Sequence, residues 1–117
     1  MKQALDNAGL DLVCSIHTTS DWSQFRYKTS GKVQDHIDSF KSLAEDALIY
    51  QPLHLNSHSG CDSWTIDQTR QFLRGALEVE KSLNTTIVHE THRRRIFWNP
   101  FNFRDVLKNQ PDLEKVL

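Results

Sequence analysis

Short strand-like segments alternate with amphipathic helical segments along this chain, and this alternation limits the fold more than any other feature. The strand-like segments cover residues 10–16, 53–57 and 85–90, and the first is a nearly continuous apolar run. Apolar runs of this length are typical of strands that are covered on both faces. Because strands that alternate with helices form βαβ units, we predict an α/β fold with about three parallel strands.

The helical segments are marked by apolar residues that recur at steps of three and four. These positions are Val33, Ile37, Phe40, Ala44 and Leu48 in the first long helix, and Phe72, Ala76, Val79 and Leu83 in the second. Thr65 precedes the second helix, and Gln68 three residues later completes the signature of a capping box. Shorter helices are predicted at residues 1–8 and 103–108. Residues 111–117 are interpreted as the approach to a fourth strand.

Composition and charge argue against several classes of protein. Lys and Arg number 14 and Asp and Glu 15, and the net charge of −1 is unlike that of a dedicated nucleic-acid-binding protein. No stretch approaches the roughly 20 apolar residues of a membrane helix, and the N-terminus has no signal-peptide pattern. We therefore expect a cytoplasmic protein in which Cys14 and Cys61 are reduced thiols.

Polar side chains gather where the predicted strands end. His17 follows the first strand, His58 the second, and Glu90 and His92 the third. Parallel α/β folds place their sites beyond the carboxyl ends of the strands, so these side chains are expected to converge. Imidazole nitrogen and carboxylate oxygen suit Zn, Mn or Fe, which predicts a site for a metal or a polar substrate. The alternative is that loop backbone groups satisfy these residues.

The loop after the third strand carries two further groups of residues. Arg93, Arg94 and Arg95 form a triplet that is either a solvated loop or a site for a phosphate or carboxylate. Trp98 and Phe101 are interpreted as residues that anchor the loop to the core, rather than as a platform for a sugar.

Three stretches of the chain resemble one family. The stretches LHLNSHSGCDSW (residues 53–64) and IVHETHRRRIFWNP (residues 87–100) resemble the xylose isomerase-like TIM-barrel proteins, often called sugar phosphate isomerases/epimerases. GLDLVCSIHT (residues 9–18) is similar to the preceding strand of the same family. The resemblance covers essentially the whole chain, and it is specific in NSHSG and HETHR and generic in the helices.

The resemblance implies a fold and a set of site residues. Family members are (β/α)8 barrels of about 250 residues, so residues 1–117 would be a partial barrel domain that lacks N-terminal and C-terminal strands. Glu90 and His58 would be catalytic residues and metal ligands. The cofactor would be a divalent metal (Mn, Co, Zn or Mg), with further ligands (an Asp, a His and another Glu) on later strands.

The remaining site residues implied by the resemblance bind the substrate, a small-molecule sugar or sugar phosphate. They are His17, Asn56, His92 and Arg95. The implied reaction is proton transfer next to a carbonyl, as in a metal-dependent isomerase or epimerase. A partial barrel of this kind is expected to be incomplete and inactive alone.

Two other functions stay open at this point. The first is an AP endonuclease-like, metal-dependent phosphodiesterase, which the net charge of −1 disfavours. The second is a non-catalytic remnant or a subunit that another chain completes. A three-stranded sheet has two open edges, and these edges predict self-association. No nucleic-acid or membrane partner is expected.

Overall fold

A computed structural model describes residues 1–20 and 29–114. In these residues the elements follow one another as α1 (Lys2–Asn7), β1 (Val13–His17), α2 (Val33–Leu48), β2 (His54–His58), α3 (Ile66–Leu83), β3 (Ile87–His89) and α4 (Pro100–Leu107). The three strands are parallel and lie in the order β1-β2-β3. The chain is thus a mixed α/β protein with a three-stranded parallel sheet and four helices in its described part, which confirms the α/β class.

The sheet is covered by helices on one of its two faces. Leu55, Ile87 and His89 point into this covered face and are almost completely buried. Phe40 of α2 and Phe72 of α3 meet above them with ring centroids 5.9 Å apart, and Phe40 also stacks on His89. In a right-handed βαβ unit the direction from the first strand to the second decides which face of the sheet the helix covers. When each strand is added on the same side of the previous one, successive helices cover the same face. The sequential strand order therefore explains why α2 and α3 share a layer.

The two long helices begin and end where the sequence pattern indicates. At the start of α3 the Thr65 side chain accepts a hydrogen bond from the Gln68 backbone, and the Gln68 side chain accepts one from the Thr65 backbone, which confirms the capping box. The helix ends at Asn84, whose positive φ of 49° lets its backbone close the last turn. The predicted apolar stripes face the sheet, where Phe40, Phe72 and other members are fully buried.

Several element boundaries differ from the predictions. Strand β1 begins at Val13, and β3 ends at His89, so Glu90 lies just beyond its strand. Helix α4 begins at Pro100 because Asn99 caps it by accepting a hydrogen bond from the Asn102 backbone. Residues 111–114 form turns that bury Leu113, so this part of the expected fourth strand is not extended. Residues 115–117 lie outside the described residues.

The lengths and hydropathy of the helices bear on membrane insertion. The longest, α3, spans Ile66–Leu83 and is amphipathic, with charged residues along its outer side. Among the helices of residues 1–20 and 29–114, none is both long and apolar enough to cross a bilayer.

Candidate functional site at the carboxyl ends of the strands

The second face of the sheet is open over the described residues. Strand residues alternate between the two faces, so Val13, Ser15 and His17 of β1 lie on this open face. His54, Asn56 and His58 of β2 and Val88 of β3 lie beside them in register. Val13 and Val88 keep 50% and 40% of their surfaces exposed, which shows that no described element packs against this face.

The predicted site residues meet at the top of the open face. His17 pairs with His58 across the β1–β2 register, and their rings stack with centroids 4.3 Å apart. The Glu90 backbone N–H donates to the Ser57 carbonyl, which places Glu90 beside His58. The His92 ring lies 4.6 Å from that of His58. The expected convergence of the strand ends is therefore confirmed as geometry, while the role of each residue stays a prediction.

Glu90 accepts hydrogen bonds from two strand residues. His58 Nε2 lies 3.1 Å from Glu90 Oε2, and the amide nitrogen of Asn56 donates to the same oxygen. The hydrogen bond from Asn56, helped by the nearby His58 and His92, holds the pKa of the Glu90 carboxyl below its usual range. Glu90 is thus an ionised, oriented carboxylate at neutral pH.

Burial holds His17 and His58, two of the histidines near Glu90, in their neutral form. Burial lowers the pKa of His58, although the charge of Glu90 works in the opposite direction. Burial also lowers the pKa of His17, and repulsion from His58 and Arg95 adds to this effect. The contact between His58 and Glu90 is therefore an N–H···carboxylate hydrogen bond at neutral pH, and not an ion pair.

The hydrogen bonds fix which ring nitrogen is a donor. His58 donates from Nε2 to Glu90, so Nδ1 carries the lone pair; this atom is buried and without a hydrogen-bond partner among the described residues. His92 donates from Nδ1 to the Arg93 carbonyl, at 2.7 Å, so Nε2 is the ring nitrogen left for another partner. The site thus holds two imidazole nitrogens, His58 Nδ1 and His92 Nε2, beside one carboxylate.

Arg95, which the resemblance implies as a substrate-binding residue, lies inside the protein. Its side chain is 1% exposed and donates from Nη1 to the carbonyls of Thr18 and Gly60, at 2.9 and 3.0 Å, and from Nη2 to Ser20 Oγ. It therefore joins the loops that follow β1 and β2 from within the protein. Its charge still reaches the site, because it lowers the pKa of His17.

Gly60 is placed so that Arg95 can reach its carbonyl. Its φ of +61° lies in the left-handed region, which strongly favours glycine. A Cβ atom at this position would collide with the side chains of Ile96 and Trp64. The SHSG stretch after β2 thus needs its glycine for conformation and for space.

The metal that the resemblance implies fits the site only in part. Imidazole and carboxylate are the donor types that divalent transition metals use. Among residues 1–20 and 29–114, however, no group of three or more His, Cys, Asp or Glu side chains is arranged to hold an ion. His58 and Glu90 are bonded to each other instead of pointing together at a third position.

Two buried polar clusters were not predicted from the sequence. His36 of α2 is fully buried; Thr18 Oγ1 lies 2.6 Å from its Nδ1, and its Nε2 lies 2.8 Å from the Ser30 carbonyl. On the covered face, His89 Nδ1 bonds Ser59 Oγ, and His89 Nε2 lies 3.9 Å from a Glu80 carboxylate oxygen. In the sequence His36 precedes Ile37, and Glu80 follows Val79. This position beside an apolar stripe residue is the sequence signal for their burial.

Compared with known protein families, with curated proteins and with solved structures, the chain has no match in any of the three. The residues of the site are therefore the basis for its function. Those residues are one oriented carboxylate, its two hydrogen-bond donors, and two further imidazoles at the same edge of the sheet.

Proposed function

We propose that this chain carries part of the active site of a sugar isomerase or epimerase, which transfers a proton at the carbon next to a carbonyl. The observation that carries the proposal is the position of Glu90. Its carboxylate is ionised, it is held by His58 and Asn56, and it lies at the carboxyl ends of parallel strands. The resemblance of the NSHSG and HETHR stretches to sugar phosphate isomerases/epimerases supports the same reading.

The topology supports a partial (β/α)8 barrel as the setting of this site. In such barrels the strands follow one another in sequence order, and the helices form an outer layer. The order β1-β2-β3, with α2 and α3 on one face, is consistent with that arrangement. In a doubly wound sheet the order reverses and helices cover both faces. In a partial barrel, the open face with His17, Asn56 and His58 would line the barrel interior.

Glu90 is the proposed base in the reaction. Its carboxylate would take the proton from the carbon beside the sugar carbonyl; the electron pair of that C–H bond would form the C=C bond of an enediolate, and the carbonyl π pair would move onto the carbonyl oxygen. Return of the proton from Glu90 to the former carbonyl carbon, with the adjacent hydroxyl proton passing to the former carbonyl oxygen, would complete the isomerisation. His58 would hold Glu90 in place during this transfer, and His17, Asn56 and His92 would contact the hydroxyl groups of the sugar.

A divalent metal (Mn, Co, Zn or Mg) is proposed for the complete site. When bound, such an ion polarises the carbonyl and the adjacent hydroxyl group. His58 and Glu90 supply two suitable donors, and a tetrahedral or octahedral ion needs more. The resemblance implies that the other ligands come from later strands.

Metal titration of the 117-residue chain tests this proposal. Calorimetry with Mn²⁺ and Zn²⁺ at neutral pH should show one weak site, and Glu90→Gln and His58→Ala should each weaken it by about tenfold or more. Glu45→Gln, an exposed glutamate on α2, is the matched control and should bind as the wild type does. Equal binding by wild type and Glu90→Gln, or no binding at all, would overturn the proposal.

The open face and edges favour a second candidate function, a subunit that another chain completes. Among the described strands, β1 and β3 each have an unpaired edge. Val13 and Val88 expose apolar surface on the open face next to these edges. Unpaired edges with apolar neighbours are templates for association, so the chain is proposed to self-associate whether or not it is catalytic.

A further inference from the structure

An aromatic cavity lies next to the candidate site. Of the residues proposed for that site, His92 lines the cavity and the others do not. The cavity has a volume of about 370 Å³ and is lined by Thr91, His92, Arg93, Phe97, Trp98, Asn99, Pro100 and Phe103. This volume is within the range of pockets that hold small molecules. The cavity lies between the loop after β3 and the start of α4.

The floor and wall of the cavity are apolar. Phe97 is completely buried, and its ring meets that of Phe103 edge to face with centroids 4.9 Å apart. Trp98 keeps 51% of its surface exposed, so it does not anchor the loop to the core as the sequence indicated. An indole that is half exposed beside a cavity presents a flat surface on which a ring can lie.

Four polar residues also line the cavity. They are Thr91, His92, Arg93 and Asn99, whose side chains carry hydroxyl, imidazole, guanidinium and amide groups. His92 bonds the Arg93 carbonyl through Nδ1, which leaves Nε2 as the ring nitrogen for a ligand. One apolar surface surrounded by hydrogen-bonding groups complements a molecule with a flat apolar face and a polar edge, and a sugar ring has this shape.

His92 joins the cavity to the proposed active site. It lines the cavity, and its ring lies 4.6 Å from that of His58, which contacts Glu90. A ligand that reached Glu90 with one sugar unit would have its next unit beside His92 and Trp98. We propose that this cavity binds a second sugar ring, stacked on Trp98, so that the ligand of the site is a disaccharide or a larger saccharide.

The start of α4 fixes the geometry of this subsite. Asn99 caps the helix through the hydrogen bond from the Asn102 backbone, at 2.8 Å, and Pro100 occupies the first helical position. Trp98 immediately precedes the cap, and Phe103 lies one turn into the helix. The residues on the two sides of the cap thus form two walls of one cavity.

Calorimetric titration of the full chain with cellobiose, maltose and glucose tests the subsite. At least one of the disaccharides should bind about fivefold more tightly than glucose. Trp98→Ala should remove this advantage, while Trp98→Phe should keep part of it. Phe101→Ala is the matched control, because Phe101 is 69% exposed in the first turn of α4, three residues after Trp98, and is not among the residues that line the cavity. The control should retain the advantage.

Two results would overturn the subsite: neither disaccharide binds more tightly than glucose, or the advantage persists in Trp98→Ala. The subsite rests on the proposed sugar-converting function, and the two experiments together distinguish failure of the subsite from failure of that function. Loss of the disaccharide preference with Glu90-dependent metal binding intact removes the subsite alone. A preference that depends on Trp98, in a chain that binds no metal through Glu90, removes the isomerase proposal and leaves a saccharide-binding cavity.

Discussion

His58 Nε2 lies 3.1 Å from Glu90 Oε2, and this contact joins the ends of β2 and β3 on the open face of the sheet. The two residues are 32 positions apart in the chain, and one βα unit brings them together. The ring of His17 stacks on that of His58. The candidate site is therefore a property of three strand ends and not of any local motif.

Acid should destabilise the fold. Burial lowers the pKa of His17, His36 and His58, so in the folded state these rings resist protonation. In the unfolded chain they take up protons near their ordinary pKa of about 6.5. The unfolded state thus binds more protons, and the free energy of unfolding should fall as the pH falls through about 6.5. The pKa of Glu90, which is also lowered, adds a further loss below its ordinary value.

Denaturant unfolding between about pH 8 and pH 5 measures this dependence. The midpoint should be flat at the alkaline end and then decrease steadily toward the acidic end. A variant that replaces His36 by a neutral residue should show a shallower decrease. A midpoint that is constant or increases on acidification would contradict the account.

His36→Ala should be strongly destabilising. The ring is fully buried, and its removal takes one hydrogen-bond partner from the Thr18 hydroxyl and one from the Ser30 carbonyl. The lost hydrogen bonds and the cavity together should lower the free energy of unfolding by about 3 kcal/mol. His54→Ala is the control, because His54 is exposed on the open face; it should change stability by less than about 0.5 kcal/mol. Similar losses in the two variants would mean that the His36 cluster is not structural.

Arg95→Ala separates a structural arginine from a ligand-binding one. The guanidinium is buried and bonds the carbonyls of Thr18 and Gly60. Its removal should lower the free energy of unfolding by about 3 kcal/mol, because buried carbonyl groups lose their donors. Arg93→Ala, at an exposed position of the same loop, should have almost no effect on thermal unfolding. If Arg95→Ala left the melting temperature unchanged, the arginine would be available for a ligand after all.

Part of the fold and part of the candidate site could be predicted from the sequence. The strands, the two long helices and the convergence of His17, His58 and Glu90 follow from periodicity, since alternation along a strand fixes which side chains share a face. The burial of Arg95 and the exposure of Trp98 could not be predicted, because both residues lie in a loop without periodicity. Arg95 bonds the carbonyls of Thr18 and Gly60, which lie in the loops after the other two strands. Trp98 keeps 51% of its surface exposed and lines the cavity together with Phe97.

Self-association should be measurable by size-exclusion chromatography with light scattering. The open edges of β1 and β3 and the exposed Val13 and Val88 should give species larger than the 13.6 kDa monomer. Val88→Lys should shift the distribution toward the monomer, because a charge on an edge strand opposes pairing. Ile49→Lys removes a side chain that is 74% exposed at the end of α2, and it should leave the distribution unchanged. A wild-type chain that elutes as a monomer at all concentrations would contradict this prediction.

His58 and Glu90 act as one coupled unit, and an NMR titration of the imidazole rings is the decisive measurement of this coupling. In the wild type, His58 should carry its proton on Nε2 and titrate below about 6.5. In Glu90→Gln the His58 pKa should fall further, because the carboxylate raises it in the wild type. Glu45→Gln should leave the His58 titration as it is. An identical His58 titration in wild type and Glu90→Gln would contradict the coupling and, with it, the proposed site.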